Sequence, residues 1–125
     1  MTYSAIAAFL LSLAVMLGAF GAHALKTRLG AYEMGIWEKA VFYHFIHATG
    51  LLVVSLLPRL GAIPASASSW ICGLLVAGIV LFSGSLYALA LSGVRVLGAV
   101  TPIGGLSFIA AWLLLAVSLL RGQKS

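Results

Sequence analysis

The sequence contains no aspartate and has little charge of either sign. Only 7% of its residues are charged, and the acidic ones are Glu33 and Glu38. A soluble domain carries about 25% charged residues, so this composition is not that of a water-soluble fold. A hydrolase or transferase needs a nucleophile, a base and a group that orients the base. Because no long apolar run contains an acid, the sequence predicts that the protein is not an enzyme.

Cysteine is almost absent as well. Cys72 is the only cysteine in the chain, which excludes an intrachain disulfide, a CxxC redox pair and a cluster of thiolate ligands. Thiol oxidoreductase chemistry is therefore disfavoured.

Basic residues outnumber acidic ones but are scattered along the chain. The formal net charge is +5. The seven basic residues are Lys26, Arg28, Lys39, Arg59, Arg95, Arg121 and Lys124. Proteins that bind nucleic acids cluster Lys and Arg on one face, whereas here each basic residue lies beside the end of an apolar run. This pattern is typical of loops that anchor membrane helices and argues against a nucleic-acid partner.

Apolar residues make up most of the chain, with 63% hydrophobic residues and a mean hydropathy of +1.20. A chain of 125 residues cannot hide so much apolar surface in a soluble core, so the lipid bilayer is its expected surroundings. Four apolar stretches are long enough to cross a hydrocarbon core of about 30 Å. The sequence therefore predicts an all-α integral membrane four-helix bundle. It is expected to be a single domain of residues 1–125 with spans at about 5–25, 40–57, 70–91 and 101–120.

Local signals mark the ends of these stretches. Pro58 and Arg59 close the second one, since proline stops a helix and arginine reaches the headgroups. Ser68 or Ser69 is expected to cap the third helix. Thr101 is expected to cap the fourth, with proline at the first helical position. These signals place short loops between the spans, with no room for a further domain.

The first stretch and the orientation allow alternatives. Residues 22–24 form a small-x-small site, so a cleaved signal peptide competes with a first span, although residues 1–4 lack the expected Lys or Arg. With four spans, both termini lie on the same side of the membrane. The numbers of Lys and Arg on the two sides are too similar to decide which side that is.

Ionisable side chains inside a membrane are costly and are candidate functional residues by default. His44 and His47 lie in the second span. If the helix extends back through the preceding loop, Glu33 and Trp37 fall on the same face as both histidines. His47 lies eight residues after Lys39, which marks the interface. That is about 12 Å along the helix and places His47 near the bilayer centre. The candidate intramembrane polar site comprises His47, His44, His23, Tyr43, Glu33, Ser83, Ser85 and Tyr87.

Three roles suit these histidines. Each could be neutral and hydrogen-bonded to a neighbouring helix, His47 could relay protons or ions, or the pair could bind a metal or haem. His44 and His47 have the spacing of a chelating pair, but a third ligand would have to come from His23 or Glu33. Because a complete ligand set is missing, the sequence predicts no cofactor and no metal.

Small residues recur within the spans and allow membrane helices to approach closely. The glycines predicted to pack helices together are Gly18, Gly21, Gly84, Gly104 and Gly105. This pattern favours a non-enzymatic packing or accessory protein, either as a homo-oligomer or as a subunit of a larger membrane assembly.

Three sequence blocks carry a family resemblance. They are LGAFGAH at residues 17–23, LFSGSLY at residues 81–87 and TPIGG at residues 101–105, with Tyr43 and His47 between the first two. In this order and spacing they resemble the YgdD-like family, domain of unknown function 423. The resemblance covers nearly the whole chain. It implies a small four-helix inner-membrane protein with cytoplasmic termini and no assigned activity.

The resemblance also bears on the histidines. His44 stands where such proteins more often have Gln, which weakens a site made of two histidines. If His44 is a local variation, then His47, His23 and Tyr43 are the better candidates for a shared role. No catalytic residue is implied.

Overall fold

The computed structural model describes residues 2–122, so Lys124 lies outside the described residues. Two π-helical segments follow the first and third α-helices, at Gly21–Leu25 and Ile79–Ser83. Two 3-10 segments lie at Leu57–Leu60 and Arg95–Ala99. No strand occurs within residues 2–122. The five α-helices are α1 (Thr2–Phe20), α2 (Ala31–Leu56), α3 (Ala65–Gly78), α4 (Gly84–Ser92) and α5 (Thr101–Gly122).

These elements join into four stretches that are long and apolar enough to cross a membrane. The stretches are Thr2–Leu25, Ala31–Leu60, Ala65–Ser92 and Arg95–Gly122. This finding confirms the predicted all-α fold with four transmembrane helices. The second stretch begins well before residue 40, because the charged segment 31–39 is itself helical and continues α2 towards the loop.

The ends of the helices are set by backbone geometry. Pro64 is extended, with φ −66° and ψ 152°, and α3 begins at the next residue. The prediction that Ser68 or Ser69 caps this helix is wrong, because both serines lie inside it. Gly61 and Gly93 each have φ 71°, a conformation in which glycine has no Cβ penalty, and they end the second and third stretches.

Helix α2 occupies the centre of the bundle. It packs against α1, α3 and α4, while α5 packs mainly against α3 and the π-helical segment that follows it. The main core is formed where α2, α3 and α5 meet, around Leu51, Ile71 and Leu75. A smaller cluster surrounds Trp37 near the other end of α2. Large apolar side chains on the outer faces are exposed, as expected for surfaces that face lipid.

Candidate functional site

The central helix α2 presents three polar aromatic side chains to the bundle interior. Trp37, His44 and His47 are all buried, and the two histidines are 2% and 6% exposed. Their spacing places them on one face of the helix, as the sequence predicts. The outer faces of the same helix carry apolar side chains such as Phe42 and Val53. The candidate polar site therefore lies between helices and not on the lipid-facing surface.

His44 connects α2 to α4. Its Nδ1 is hydrogen-bonded to the Tyr87 hydroxyl at 2.8 Å, and the Tyr87 ring also packs against the Trp37 indole, with ring centroids 4.7 Å apart. Within residues 2–122, the His44 Nε2 is a buried atom without a hydrogen-bond partner of good geometry. The backbone of Leu10 in α1 is a second polar group that interacts with the ring. His44 thus lies between α1 and α4.

His47 is held by its own helix and by aromatic rings. Its Nδ1 lies 2.8 Å from the Tyr43 carbonyl oxygen. A carbonyl can only accept, so Nδ1 carries a hydrogen, and in the neutral ring Nε2 then carries the lone pair. The imidazole stacks on Phe108 with centroids 3.5 Å apart and is parallel to the Tyr43 ring within 5°. His47 therefore contributes to the contact between α2 and α5.

Two of the predicted site residues lie away from this pair. His23 is exposed in the π-helical segment after α1. Glu33 lines a separate cavity of about 480 Å³ together with Arg95, at the end of the bundle where α2 begins. Among residues 2–122 there is no cluster of three His, Cys, Asp or Glu side chains that could hold a metal ion. The described residues thus do not bring together the third ligand that a two-histidine metal site would need.

The serines of the spans connect neighbouring helices. Ser83 donates a hydrogen bond to the Ala40 carbonyl oxygen at 2.8 Å, and Ser107 donates to that of Leu74 at 2.7 Å. Ser68 donates to the Val54 carbonyl oxygen at 3.0 Å. Each of these carbonyls belongs to a different helical stretch from its serine. In a membrane such bonds supply the attraction that the hydrophobic effect supplies in water.

Ser85 and Thr101 form a further connection between stretches. The Ser85 hydroxyl is 2.6 Å from the Thr101 hydroxyl and donates to the Phe82 carbonyl oxygen at 3.0 Å. Thr101 thus ties the start of α5 to α4. The two serines predicted for the site, Ser83 and Ser85, therefore bond to groups other than the histidines.

Trp37 is a residue whose role the sequence did not reveal. Its indole Nε1 donates to the Leu17 carbonyl oxygen of α1 at 3.0 Å. Leu17 lies in the turn before the π-helical segment, where the wider helical turn alters the backbone bonding. Gly21 lies beneath the indole, and a Cβ there would collide with Nε1. The sequence does place Trp37 on the same face of the helix as His44 and His47, and that position indicates a buried contact.

The predicted packing glycines differ in how closely they are approached. A Cβ at Gly104 would collide with the backbone of Phe82, and one at Gly18 would meet Val41 at 3.4 Å. A Cβ at Gly105 would lie 3.9 Å from ring atoms of Phe82, and a Cβ at Gly84 would meet no neighbouring atom within 4 Å. Two close contacts involve glycines that the sequence did not single out, namely Gly50 against Trp112 and Gly78 against Phe108.

Comparisons with known proteins identify related sequences. The family described as "Protein of unknown function (DUF423)" matches residues 17–105. The UPF0382 membrane protein of Staphylococcus epidermidis is 50% identical over 109 residues, covering 87% of each chain. UPF0382 membrane protein SH2409 of Staphylococcus haemolyticus is 50% identical over 101 residues, covering 81% of this chain and 80% of the relative.

A more distant relative comes from another genus. UPF0382 membrane protein YwdK of Bacillus subtilis is 44% identical over 111 residues, covering 87% of this chain and 88% of the relative. No solved structure gives a significant match. The predicted resemblance to domain of unknown function 423 is confirmed, whereas the YgdD name stays a prediction.

Proposed function

Because the chain belongs to the DUF423 family of membrane proteins, we propose that it is a non-enzymatic packing or accessory protein of the membrane. Its buried polar side chains hold helices together and take no part in chemistry. It acts as a homo-oligomer or as a subunit of a larger membrane assembly. Its site is the inner (plasma) membrane, with both termini in the cytoplasm.

The observation that carries this proposal is the use of the buried polar groups. Ser68, Ser83 and Ser107 each donate to a backbone carbonyl of another stretch, and the Trp37 indole does the same. A catalytic or transport site needs polar groups that point towards a shared space. Here each of these groups forms a hydrogen bond with one backbone carbonyl, and the pairs lie at separate points along the bundle. This arrangement supports a structural role.

A proton- or ion-coupled transporter or channel that uses His47 is the second candidate. The lone pair of His47 Nε2 favours it, since Nδ1 holds the hydrogen that bonds to Tyr43 and Nε2 is left to accept a proton. The unpartnered Nε2 of His44 also favours it. A metal- or haem-binding protein is a third candidate, and a Soret band or one metal per purified chain would support it.

Substituting His47 separates the first two candidates. Glutamine keeps a neutral donor and acceptor but does not titrate near neutral pH, whereas alanine removes both. With a structural role, we expect His47→Gln to retain most of the stability in detergent. His47→Ala should lower the free energy of unfolding by roughly 2 kcal/mol or more, because it also removes the buried ring that stacks on Phe108. His23→Gln, at an exposed histidine, is the control and should have no effect.

Proton flux in proteoliposomes completes this test. We expect no pH-dependent flux from the wild-type protein above that of protein-free vesicles. If the wild type conducts protons with a dependence near the titration range of histidine, and both variants abolish the flux while they remain folded, the structural proposal fails. Retained flux in His23→Gln would then assign the activity to His47.

A further inference from the structure

Two cavities between α1 and α3 are joined by shared residues. The first, of about 430 Å³, lies at the end of the bundle where α1 and α3 begin and α2 ends. The second, of about 440 Å³, extends along α3. Tyr3 and Ser69 line both cavities. The two cavities therefore adjoin at Tyr3 and Ser69. We call the pair the α1–α3 groove, which runs from the end of the bundle into the membrane-spanning region.

The end of the α1–α3 groove that lies at the membrane surface is polar and basic. Arg59 lines it, together with Thr2, Tyr3 and Ser69, three residues that carry hydroxyl groups. Within residues 2–122, these three hydroxyls make no hydrogen bond. Among the described residues, no acidic side chain lines this cavity. A guanidinium group and unengaged hydroxyls are the donors that proteins use to bind a phosphate group.

The other end of the α1–α3 groove is apolar. Beyond Tyr3 and Ser69 it is lined by Trp70, Gly73 and Leu74. Gly73 leaves the space beside α3 open, because a Cβ there would meet only the Tyr3 hydroxyl, at 3.6 Å. Trp70 is 72% exposed, as is common for tryptophan at the membrane interface. The shape and polarity of this end suit an acyl chain.

The helices that flank the groove do not close it. Helix α1 packs mainly against α2, and α3 packs mainly against α5, so α1 and α3 hardly contact each other. In a bilayer the space between two such helices must be filled by lipid or by another protein. The groove has a basic polar end at the surface and an apolar end towards the interior. That order matches the order of phosphate and acyl chain in a phospholipid.

We propose that the α1–α3 groove binds one anionic phospholipid from the leaflet on the side of the termini. The phosphate lies against Arg59 and the hydroxyls of Thr2 and Ser69, and one acyl chain lies over Gly73, beside the Tyr3 side chain. Charge complementarity favours an anionic lipid over a zwitterionic one, because Arg59 contributes a positive charge and the other lining residues within 2–122 are uncharged. This binding would hold α1 in place relative to α3, which the protein contacts alone do little to achieve.

Native mass spectrometry of the full-length protein in detergent tests the proposal. The probes are phosphatidylglycerol, phosphatidylcholine with the same acyl chains, diacylglycerol as the tail alone, and glycerol 3-phosphate as the headgroup alone. We expect a one-to-one complex with phosphatidylglycerol and weaker retention of the other three. Equal retention of phosphatidylglycerol and phosphatidylcholine would overturn the proposal. Glycerol 3-phosphate binding as tightly as the lipid would show an anion site and would overturn it too.

Variants at each end of the groove locate the bound lipid. Arg59→Gln should weaken phosphatidylglycerol retention by about fivefold, the effect of one basic residue near an anionic membrane surface. Arg95→Gln, at the opposite end of the bundle, is the matched control and should leave retention unchanged. An equal effect of both variants would show general charge attraction and would overturn the assignment to Arg59.

The apolar end is tested by filling it. Gly73→Leu should block the acyl chain and lower retention of phosphatidylglycerol, while Gly73→Ala, which meets only the Tyr3 hydroxyl, should retain it. Gly84→Leu is the control, since the position beside Gly84 is equally open but lies outside the groove. Circular dichroism and gel filtration identify variants that do not fold. A folded Gly73→Leu protein with unchanged lipid retention would contradict the proposal.

Discussion

At the scale of single residues, the contact between Trp37 and Gly21 holds α2 against the end of α1. The indole Nε1 bonds to the Leu17 carbonyl oxygen at 3.0 Å, and the ring lies directly over Gly21, where it has no room for a Cβ. The Tyr87 ring covers the other side of the indole. One large side chain thus joins α1, α2 and α4 through a hydrogen bond and two packing contacts.

Adding a side chain at position 21 should therefore destabilise the protein only while Trp37 is present. We expect Gly21→Ala to lower the free energy of unfolding by about 1 to 3 kcal/mol, because the added methyl collides with the indole. Trp37→Phe should cost about 0.6 to 2 kcal/mol through loss of the bond to Leu17. The double variant should cost less than the sum, since the smaller ring leaves more room.

Thermal unfolding in detergent measures all three free energies. Gly35→Ala is the control, because a Cβ at Gly35 meets no atom within 4 Å. It should be neutral or stabilise the protein by up to about 1 kcal/mol, since alanine is the better helix former. Additive effects of Gly21→Ala and Trp37→Phe would refute the direct contact.

At the scale of helices, two devices bring the stretches together. Glycine allows α5 to approach the π-helical segment after α3 so closely that the Gly104 position faces the backbone of Phe82. Serines then bond across the gap, with Ser107 of α5 donating to the Leu74 carbonyl oxygen of α3 at 2.7 Å. Close approach and hydrogen bonding together replace the hydrophobic attraction that lipid removes.

Neighbouring glycines of α5 should respond differently to the same substitution. Gly104→Ala should lower the free energy of unfolding by about 1 to 3 kcal/mol, because backbone atoms of Phe82 cannot move aside as a side chain can. Gly105→Ala should be neutral or slightly stabilising, since its nearest neighbours lie at 3.9 Å and alanine is the better helix former. Unfolding in detergent checks the pair, and equal costs would contradict the crossing described here.

At the scale of the whole molecule, four membrane crossings predict that both chain ends lie on one side of the membrane. The side is a prediction that rests on the basic residues after the last span. Arg121 lies in the last turn of α5, and Lys124 lies beyond the described residues. Positive charge next to a span is enriched on the cytoplasmic side. We therefore infer that both termini face the cytoplasm.

Reporter fusions test this orientation. We expect a C-terminal fusion of full-length protein to report a cytoplasmic location with an activity assay specific for that side. A fusion placed after Arg28, in the first loop, should report the opposite side. A periplasmic or extracellular C-terminus in the native background would overturn the predicted orientation, and identical results from both fusions would contradict the four-span arrangement.

Some features of the site could be predicted from sequence and others could not. Helical periodicity places Trp37, His44 and His47 on one face of a helix, and this needs no tertiary information. The hydrogen-bond partner of His44 could not be predicted in this way, because Tyr87 lies 43 positions further along the chain. Ser83 was a candidate partner for the histidines, yet it bonds to a backbone carbonyl. Such choices depend on helix rotation and register, which local composition does not encode.

The sequence by itself determined that this protein is a bundle of four membrane helices. Apolar side chains in runs of membrane length leave the backbone no alternative to helix, and this requirement is local. Only the tertiary structure decided that Gly104 and not Gly84 lies at a close crossing, that α1 and α3 leave a groove between them, and that α2 is central. These features depend on which faces of distant helices meet. In lipid all apolar faces are nearly equivalent, so small differences in side-chain size and single hydrogen bonds decide the packing.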